Sequence, residues 1–264
     1  MQYKSTIRAC FAGYVVQAVV NNFVPLLFLT FQSQYGIPLS QVTLLITINF
    51  ALQLAVDGVS VFFIDRIGYR AAAVIAHICA ALGLVGLAFL PDLLPLPFAG
   101  LLLSVLLYAL GGGLLEVIVS PIVESCPSDH KAQTMSILHS FYCWGQLGTV
   151  AISTLFLFAF GTGSWPVLAC LWAIVPAIGI AMFAGAPMPR IVPEGTATMR
   201  FADLSKKPVF YLMFLMMLCA GAAEQGMSQW ASAFAESGLG VTKVIGDLAG
   251  PAAFALMMGL SRTI

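Results

Sequence analysis

Two carboxyl groups stand inside long apolar stretches of this sequence, where each could take up and release a proton. Glu116 follows an uncharged run that begins after Asp92, and Glu224 lies near the middle of a second apolar run. Burial disfavours the charged form of a carboxyl group, so such a group can exchange protons near neutral pH and couple them to solute movement. Two structural alternatives stay open. Glu116 could simply hydrogen-bond a neighbouring helix, or a basic residue on a further helix could neutralise it.

Polar and small residues recur around Glu116 at intervals of four. Tyr108, Gly112, Glu116, Ser120 and Glu124 would share one face of a helix. The run can cross a bilayer, since about 20 apolar residues at 1.5 Å each span a hydrocarbon core of about 30 Å. The spacing therefore predicts a membrane helix whose polar row lines a cavity, with glycines that let another helix or a ligand come close.

Further polar side chains in the apolar runs are candidates for binding a solute or a proton. Besides Glu116 and Glu224, the predicted site contains Asn21, Asn22, Gln53, Asp57, His139, Tyr142, Gln146, Gln225 and Gln229. Amides and aromatic rings suit a hydroxyl-bearing ligand, because amides donate and accept hydrogen bonds and rings stack on apolar faces. His139 could equally be a satisfied structural histidine, as we expect of His77. Trp230 could stack on a ligand or anchor the helix at the membrane interface.

The composition is that of an integral membrane protein. Of 264 residues, 60% are hydrophobic and 8% are charged, whereas about a quarter are charged in soluble domains. The formal net charge is zero and basic residues form no cluster, which argues against a nucleic-acid partner. The six cysteines include no Cys-x-x-Cys pair, and the usual phosphate-loop, zinc-protease and serine-hydrolase motifs are absent. We therefore expect neither a metal site, nor a cofactor, nor an enzyme.

Eight apolar runs separated by polar or turn residues predict eight membrane helices. The predicted spans are 8–31, 41–63, 71–90, 98–122, 132–158, 166–185, 209–235 and 244–262. If the N-terminus is cytoplasmic, Lys243 alone of the eleven basic residues falls outside, which fixes the orientation under the positive-inside rule. We also expect the buried carboxylates to lack a cationic partner in this chain.

The spans differ in polarity, and the difference predicts how they are arranged. Spans one, two, four, five and seven carry the polar side chains and should face a common cavity, whereas three and six should face lipid. The segment after the sixth span contains several prolines and basic residues, which predicts a linker. The predicted domains are a six-helix bundle at 1–185, a cytoplasmic linker at 186–207 and the start of a second bundle at 208–264. No tail follows the eighth span, which we interpret as a cut chain.

The turn between spans two and three reads Asp65-Arg66-Ile67-Gly68-Tyr69-Arg70. Gly68 can supply a positive φ and the arginines fix orientation; an orienting loop with no further role is the alternative. The turn resembles the loop Gly-x-x-x-Asp-Arg-x-Gly-Arg-Arg of the major facilitator superfamily. Asp65, Arg66, Gly68 and Arg70 match it, whereas Val61 and Tyr69 depart from it. The resemblance implies a gating loop that locks two six-helix bundles, with helices one, four and seven along the pathway.

A finer resemblance is to the fucose-permease-like sugar:proton symporters, whose fourth helix carries Gly-x-Gly-x-x-Glu and a proline five residues later. Gly111, Gly113, Glu116 and Pro121 match that pattern, and Asn21-Asn22 matches an Asn pair in their first helix. The Asp that follows this pair in those transporters, where it takes part in proton coupling, has no counterpart in this sequence. Coupling would then rest on Glu116, with help from Asp57 or Glu224.

These observations predict an all-α membrane protein with the major facilitator fold, comprising the N-terminal six-helix bundle and the first two helices of a second bundle. We expect a secondary active transporter in the cytoplasmic membrane that moves a small polar solute, such as a sugar, with protons by alternating access. Its only energy source would be the proton gradient, and it would be a monomer at full length. The alternatives are a proton-coupled exporter of cationic or amphipathic compounds and a non-transporting membrane sensor or scaffold.

Overall fold

The computed structural model describes residues 3–189, 191 and 201–263, and all regular structure in this part of the chain is helical. Within these described residues, eight helices are long and apolar enough to cross a membrane. They are α1 (Lys4–Tyr35), α2 (Leu39–Ile67), α3 (Tyr69–Leu93), α4 (Pro97–Ser125), α5 (Lys131–Phe160), α6 (Thr162–Gly185), α7 (Pro208–Leu239) and α8 (Lys243–Thr263). The predicted linker contains one helical turn, Phe201–Leu204, and its residues 190 and 192–200 lie outside the described residues.

Each helix agrees with a predicted span but is longer by a few residues, because the helices continue past their apolar centres into polar ends. Helix α1 begins at Lys4 and ends at Tyr35, whereas the apolar run covers 8–31. Apolar length marks only the hydrocarbon core, and a helix can extend beyond it into the interfacial region. We call the side that carries the N-terminus and the start of α7 the linker side, and the opposite side the far side.

Two prolines coincide with breaks in the helical ladder in the far-side half of the molecule. Pro25 lies in a 3-10 turn, Val24–Leu27, within α1, and Pro251 lies in a π turn, Leu248–Ala252, within α8. Proline has no N–H, so the carbonyl four residues earlier loses its usual donor and the ladder shifts to another spacing. The carbonyl groups released in this way can accept hydrogen bonds from other helices.

Glycines allow α3 and α4 to approach at backbone distance. A methyl group added at Gly111 would lie 2.4 Å from the carbonyl oxygen of Ala76, and one at Gly83 would lie 2.5 Å from the amide nitrogen of Tyr108. Small residues permit this close approach, which is a main source of helix association where no water can be expelled. The packing fixes α4, and with it the polar row that α4 carries.

The first six helices form one bundle, and α7 and α8 pair with each other and pack mainly against α5 and α1. Gly246 and Gly250, four residues apart on α8, face α7 so closely that an added methyl at Gly250 would lie 3.0 Å from Ala231 Cβ. Large apolar side chains such as Phe89, Ile178 and Leu212 point outward from the helices. This is the arrangement of an integral membrane protein whose outer surface meets lipid.

Candidate functional site

A cavity of about 380 Å³ lies in the linker-side half of the molecule, between the first bundle and α7 and α8. Its lining combines carboxylates, amides, a guanidinium group and aromatic rings: Tyr14, Gln17, Asn21, Phe50, Gln53, Leu54, Asp57, Glu116, His139, Tyr142, Met217, Glu224, Gln225 and Arg262. Helices α3 and α6, which we expected to face lipid, contribute no described residue to it. Most of the residues predicted for the site line this cavity.

Glu116 lies on the cavity wall and is exposed there, whereas the sequence predicted a buried carboxylate. Gln17 on α1 donates a hydrogen bond from Nε2 to Glu116 Oε2 at 3.1 Å. One turn closer to the linker side, the hydroxyls of Tyr14 and Ser120 are 2.9 Å apart. Glu124, the last member of the predicted row, lies outside the lining and is 3.9 Å from Lys131 Nζ. The row on α4 thus meets α1, and only its central carboxylate opens on the cavity.

A network of three buried amides forms the far-side wall of the cavity. Gln53 Nε2 on α2 donates to Asn21 Oδ1 at 2.8 Å and to Asn49 Oδ1 at 3.0 Å, and Asn49 Nδ2 lies 3.4 Å from Asn21 Oδ1. Each of these side chains is at most 5% exposed. Buried amides of this kind hold one another in fixed orientations, because breaking any bond strands a polar group away from water.

Two oxygen atoms that border the cavity have no hydrogen-bond partner among the described residues. They are Gln17 Oε1 and Asp57 Oδ1, each buried at the atom itself. Buried polar atoms are nearly always hydrogen-bonded, so unpaired ones require a partner such as water or a ligand. Both atoms accept hydrogen bonds but have almost no accessible surface, so a donor has to enter the wall of the cavity to reach them.

Glu224 on α7 has a basic partner, contrary to our expectation that the carboxylates lack one. Arg262, in the last turn of α8, places a guanidinium nitrogen 3.6 Å from Glu224 Oε2 and another 3.4 Å from Cys143 Sγ on α5. The main-chain oxygen of Arg262 accepts a hydrogen bond from Ser136 at 2.8 Å. The sequence predicted a position at the end of the eighth helix but could not show that the long side chain turns back toward the cavity.

Aromatic side chains form the α5 face of the site. The ring of His139 lies 5.4 Å from that of Tyr14, and the ring of Tyr142 lies 6.5 Å from it in an edge-on arrangement. Tyr142 OH accepts a hydrogen bond from Asn22 Nδ2 at 3.4 Å. The same Asn22 nitrogen donates to the carbonyl of Ala18 in its own helix at 2.9 Å. These rings can stack against the apolar face of a ligand.

Three predicted site residues, Asn22, Gln146 and Gln229, lie outside the lining. Gln229 Nε2 donates to the main-chain oxygen of Asn21 at 3.0 Å, the carbonyl whose helical donor is missing because residue 25 is proline. Gln146 Nε2 donates to Ser228 Oγ at 3.0 Å. Both glutamines thus join the first bundle to α7 and help to close the cavity on its far side. A pattern of polar positions in the sequence cannot distinguish a residue that closes the cavity from one that lines it.

Trp230 contributes to the same closure. Its ring lies 5.6 Å from the ring of Phe28 on α1, one turn beyond the amide contacts. The residue is therefore neither in the cavity lining nor free at the surface, although sequence reasoning considered only a ligand contact or an interface anchor. Aromatic packing of this kind excludes water from the far side.

The predicted gating loop packs against its own bundle. Gly68 has φ +82°, the left-handed region that glycine adopts without strain. Arg70 donates to the carbonyl of Ala186 at 2.8 Å, just past the end of α6, and Tyr69 OH donates to Asp65 Oδ1 at 3.4 Å. Asp65 and Arg66 are exposed. A role of this loop in locking two bundles stays a prediction.

Among the described residues, no three His, Cys, Asp or Glu side chains are grouped so as to hold a metal ion. Of the six cysteines, Cys10, Cys126 and Cys143 are buried as free thiols. The side chains that line the cavity offer hydrogen-bonding, charged and aromatic groups.

Solved transporters share this fold at low sequence identity. The crystal structure of a D-xylose-proton symporter matches with a TM-score of 0.65 at 16% identity, covering 97% of this chain and 65% of that one. The inward-open xylose transporter XylE from E. coli gives 0.61 at 14% identity, over 70% and 48% of the two chains. A POT family transporter in complex with 5-aminolevulinic acid gives 0.58 at 17% identity, over 83% and 47%.

The chain thus spans about half to two thirds of the length of these transporters, and at such identities the likeness shows the fold alone. No curated protein matches the sequence. The sequence model of the Major Facilitator Superfamily matches residues 9–264, which is nearly the whole chain. Together with the eight apolar helices and the shared fold, this match shows that the chain belongs to the Major Facilitator Superfamily.

Proposed function

We propose that this protein moves a small polar solute, such as a sugar, across the cytoplasmic membrane together with protons by alternating access. The observation that carries the proposal is the cavity at the boundary between the first bundle and α7 and α8. It lies on the linker side and is closed on the far side by Gln146, Gln229 and Trp230. A site between two groups of helices can be opened to either side by rocking one group against the other.

The lining supports a hydroxyl-bearing solute. Gln53 and Asn21 provide oriented amides, Glu116 and Asp57 provide carboxylate groups that accept hydrogen bonds, and Tyr142 provides an aromatic face. A ligand with several hydroxyl groups can donate to the acceptors, accept from the amides and place its apolar face on the ring. The xylose transporters share the fold, which makes a sugar a reasonable first probe.

Proton coupling is proposed to rest on Glu116. Its hydrogen-bond donor is the neutral amide of Gln17, whereas Glu224 has the guanidinium group of Arg262 beside it. A carboxyl group without a fixed cation can change its protonation state when access alternates between the two sides of the membrane. Asp57 and Glu224 are proposed to assist, and the solute and the proton would meet in one cavity.

A second candidate function is export of a cationic or amphipathic compound in exchange for protons. The observation that favours it is the charge of the lining, since Asp57, Glu116 and Glu224 face only one guanidinium group. Acidic side chains enclosed by protein attract a cation more strongly than in bulk water, because the effective dielectric constant is lower there. This reading predicts the opposite direction of solute movement when a proton gradient is imposed.

The two functions can be separated by reconstituting the full-length protein in proteoliposomes. A panel of radiolabelled pentoses, hexoses and organic cations would be offered with and without an imposed proton gradient. Accumulation of a sugar that is driven by protons moving in the same direction supports symport. Movement of an organic cation in the direction opposite to that of the protons supports export. Saturable binding without accumulation of any solute would support a sensor or scaffold and refute transport.

The remaining features of the proposal follow the sequence. We propose a cytoplasmic N-terminus, a linker at 186–207 between two bundles, and a monomer at full length, in the fucose-permease-like branch. The skew of Lys and Arg supports the orientation, because Lys243 at the start of α8 is the one basic residue assigned to the outer side. Protease or thiol-labelling accessibility of the two ends of α7 would test the orientation directly.

A further inference from the structure

A second group of charged side chains lies on the far side, where α7 connects to α8. Lys243 is the first residue of α8, Asp247 follows one turn later, and Glu236 lies in the last turn of α7. Lys243 Nζ is 3.2 Å from Asp247 Oδ2 and 3.7 Å from Glu236 Oε1. A cation in the first turn opposes the helix dipole, so helix stability does not account for a lysine at this position.

The α7–α8 hairpin holds this group as one body. Gly246 and Gly250 bring α8 against α7, with an added methyl at Gly246 only 3.2 Å from the carbonyl oxygen of Ser232. Ser232 Oγ donates to Asp247 Oδ1, and the Asp247 side chain is completely buried. Ser232 and Lys243 therefore satisfy Asp247 within the hairpin alone.

Two further hydrogen bonds leave the hairpin and cross to the first bundle. Thr154 Oγ1, on α5, donates to Asp247 Oδ2 at 2.7 Å. Lys243 Nζ donates at 2.6 Å to the main-chain oxygen of Leu26, in the 3-10 turn that Pro25 introduces into α1. The same charged pair is thus bonded to α5 and to α1, on the side of the molecule away from the cavity.

We propose that Lys243 and Asp247 form a latch that holds the far side closed and releases when the hairpin moves away from the first bundle. Of the bonds that Lys243 and Asp247 make, release breaks those to Thr154 and Leu26. Asp247 then remains bonded to Ser232 and Lys243, and Lys243 remains paired with the carboxylates of Asp247 and Glu236. Breaking a buried ion pair is costly mainly because it leaves one charge unpaired, and this latch opens without doing so. It can therefore close and reopen repeatedly.

The latch is independent of which solute is carried and of the role of Glu116. Its test is Thr154→Val in the full-length protein, which removes one cross-bundle donor and leaves every bond within the hairpin. The matched control is Thr149→Val. Thr149 is a buried threonine on the same helix whose hydroxyl donates to the carbonyl of Gly145 in that helix at 2.7 Å.

Hydrogen–deuterium exchange measured by mass spectrometry in nanodiscs reports both sides of the molecule at once. Loss of one hydrogen bond to a charged acceptor should raise the open-to-closed ratio by about tenfold. Thr154→Val should then exchange faster at the far-side ends of α1, α5 and α8 and slower at their linker-side ends, with Thr149→Val unchanged. The latch would be overturned if Thr154→Val exchanged at the same rates as the wild type, or if it exchanged faster throughout the protein. It would also be overturned if Thr154→Val and Thr149→Val responded equally.

Discussion

The substitution Gly111→Ala should destabilise the protein by forcing α3 and α4 apart. The added methyl would lie 2.4 Å from the carbonyl oxygen of Ala76, 2.8 Å from the amide nitrogen of Ala80 and 3.1 Å from its Cβ. Two of these three atoms belong to the backbone of α3, so no side-chain rotation relieves the clash. Helix α4 has to move by about 1 Å to restore ordinary contact with α3.

The expected cost follows from the size of this displacement. Inserting a methyl into a close-packed contact typically costs about 1–3 kcal/mol, from which the better helix propensity of alanine returns about 0.5–1 kcal/mol. Gly111→Ala should therefore lower the free energy of unfolding by about 1 kcal/mol, and by no more than about 2.5 kcal/mol. The displacement also reaches Glu116, which lies five residues further along α4.

Thermal unfolding of the detergent-solubilised protein, followed by tryptophan fluorescence, measures this effect. Gly148→Ala is the matched control, because Gly148 is also inside a helix but an added methyl there meets no atom within 4 Å. It should leave the unfolding temperature unchanged or raise it slightly. If Gly111→Ala unfolds at or above the temperature of Gly148→Ala, the close approach of α3 and α4 is not what these glycines provide.

Two further substitutions test contacts that sequence patterns did not reveal. Arg262→Met should leave Glu224 without its cation. Modification of the Glu224 carboxyl by a hydrophobic carbodiimide, measured by mass spectrometry, should then increase. Unchanged labelling would mean that Arg262 and Glu224 do not interact. Gly179→Ala should clash with His77, since the added methyl would lie 2.1 Å from the imidazole Cδ2, and His77→Ala in the same chain should recover about 1 kcal/mol or more of the lost stability. Strictly additive unfolding data for the second pair would contradict the contact.

The sequence predicted the helices and the fold well because membrane helices are defined by length and polarity alone. Eight apolar runs gave eight helices, and the superfamily suggested by the Asp65 to Arg70 loop was confirmed by the match over residues 9–264. The sixth span lacks strongly polar side chains and was therefore expected to face lipid. In the structure, none of the described residues of α6 lines the cavity. The fucose-permease-like branch and a cut chain remain predictions.

The site was predicted less completely, because helical spacing gives a face but not its neighbour. Gln229 was placed in the cavity, yet Pro25 frees a carbonyl of α1 to which its amide bonds. Arg262 was assigned to the cytoplasmic side with the other basic residues, yet its side chain reaches Glu224. Asp247 was overlooked because it stands near the start of an apolar run, where a carboxylate is usually solvated. Each miss depends on contacts between distant helices, which no local pattern contains.

The most direct test of proton-coupled transport is Glu116→Gln in proteoliposomes containing the full-length protein. Glutamine keeps the size and a hydrogen-bonding group but cannot exchange a proton. Glu124→Gln is the control, since Glu124 is on the same helix, exposed and close to Lys131. We expect Glu116→Gln to abolish accumulation of solute against its gradient while equilibrium exchange of labelled solute continues. Glu124→Gln should retain both accumulation and exchange. Undiminished accumulation by Glu116→Gln would contradict the coupling role of Glu116.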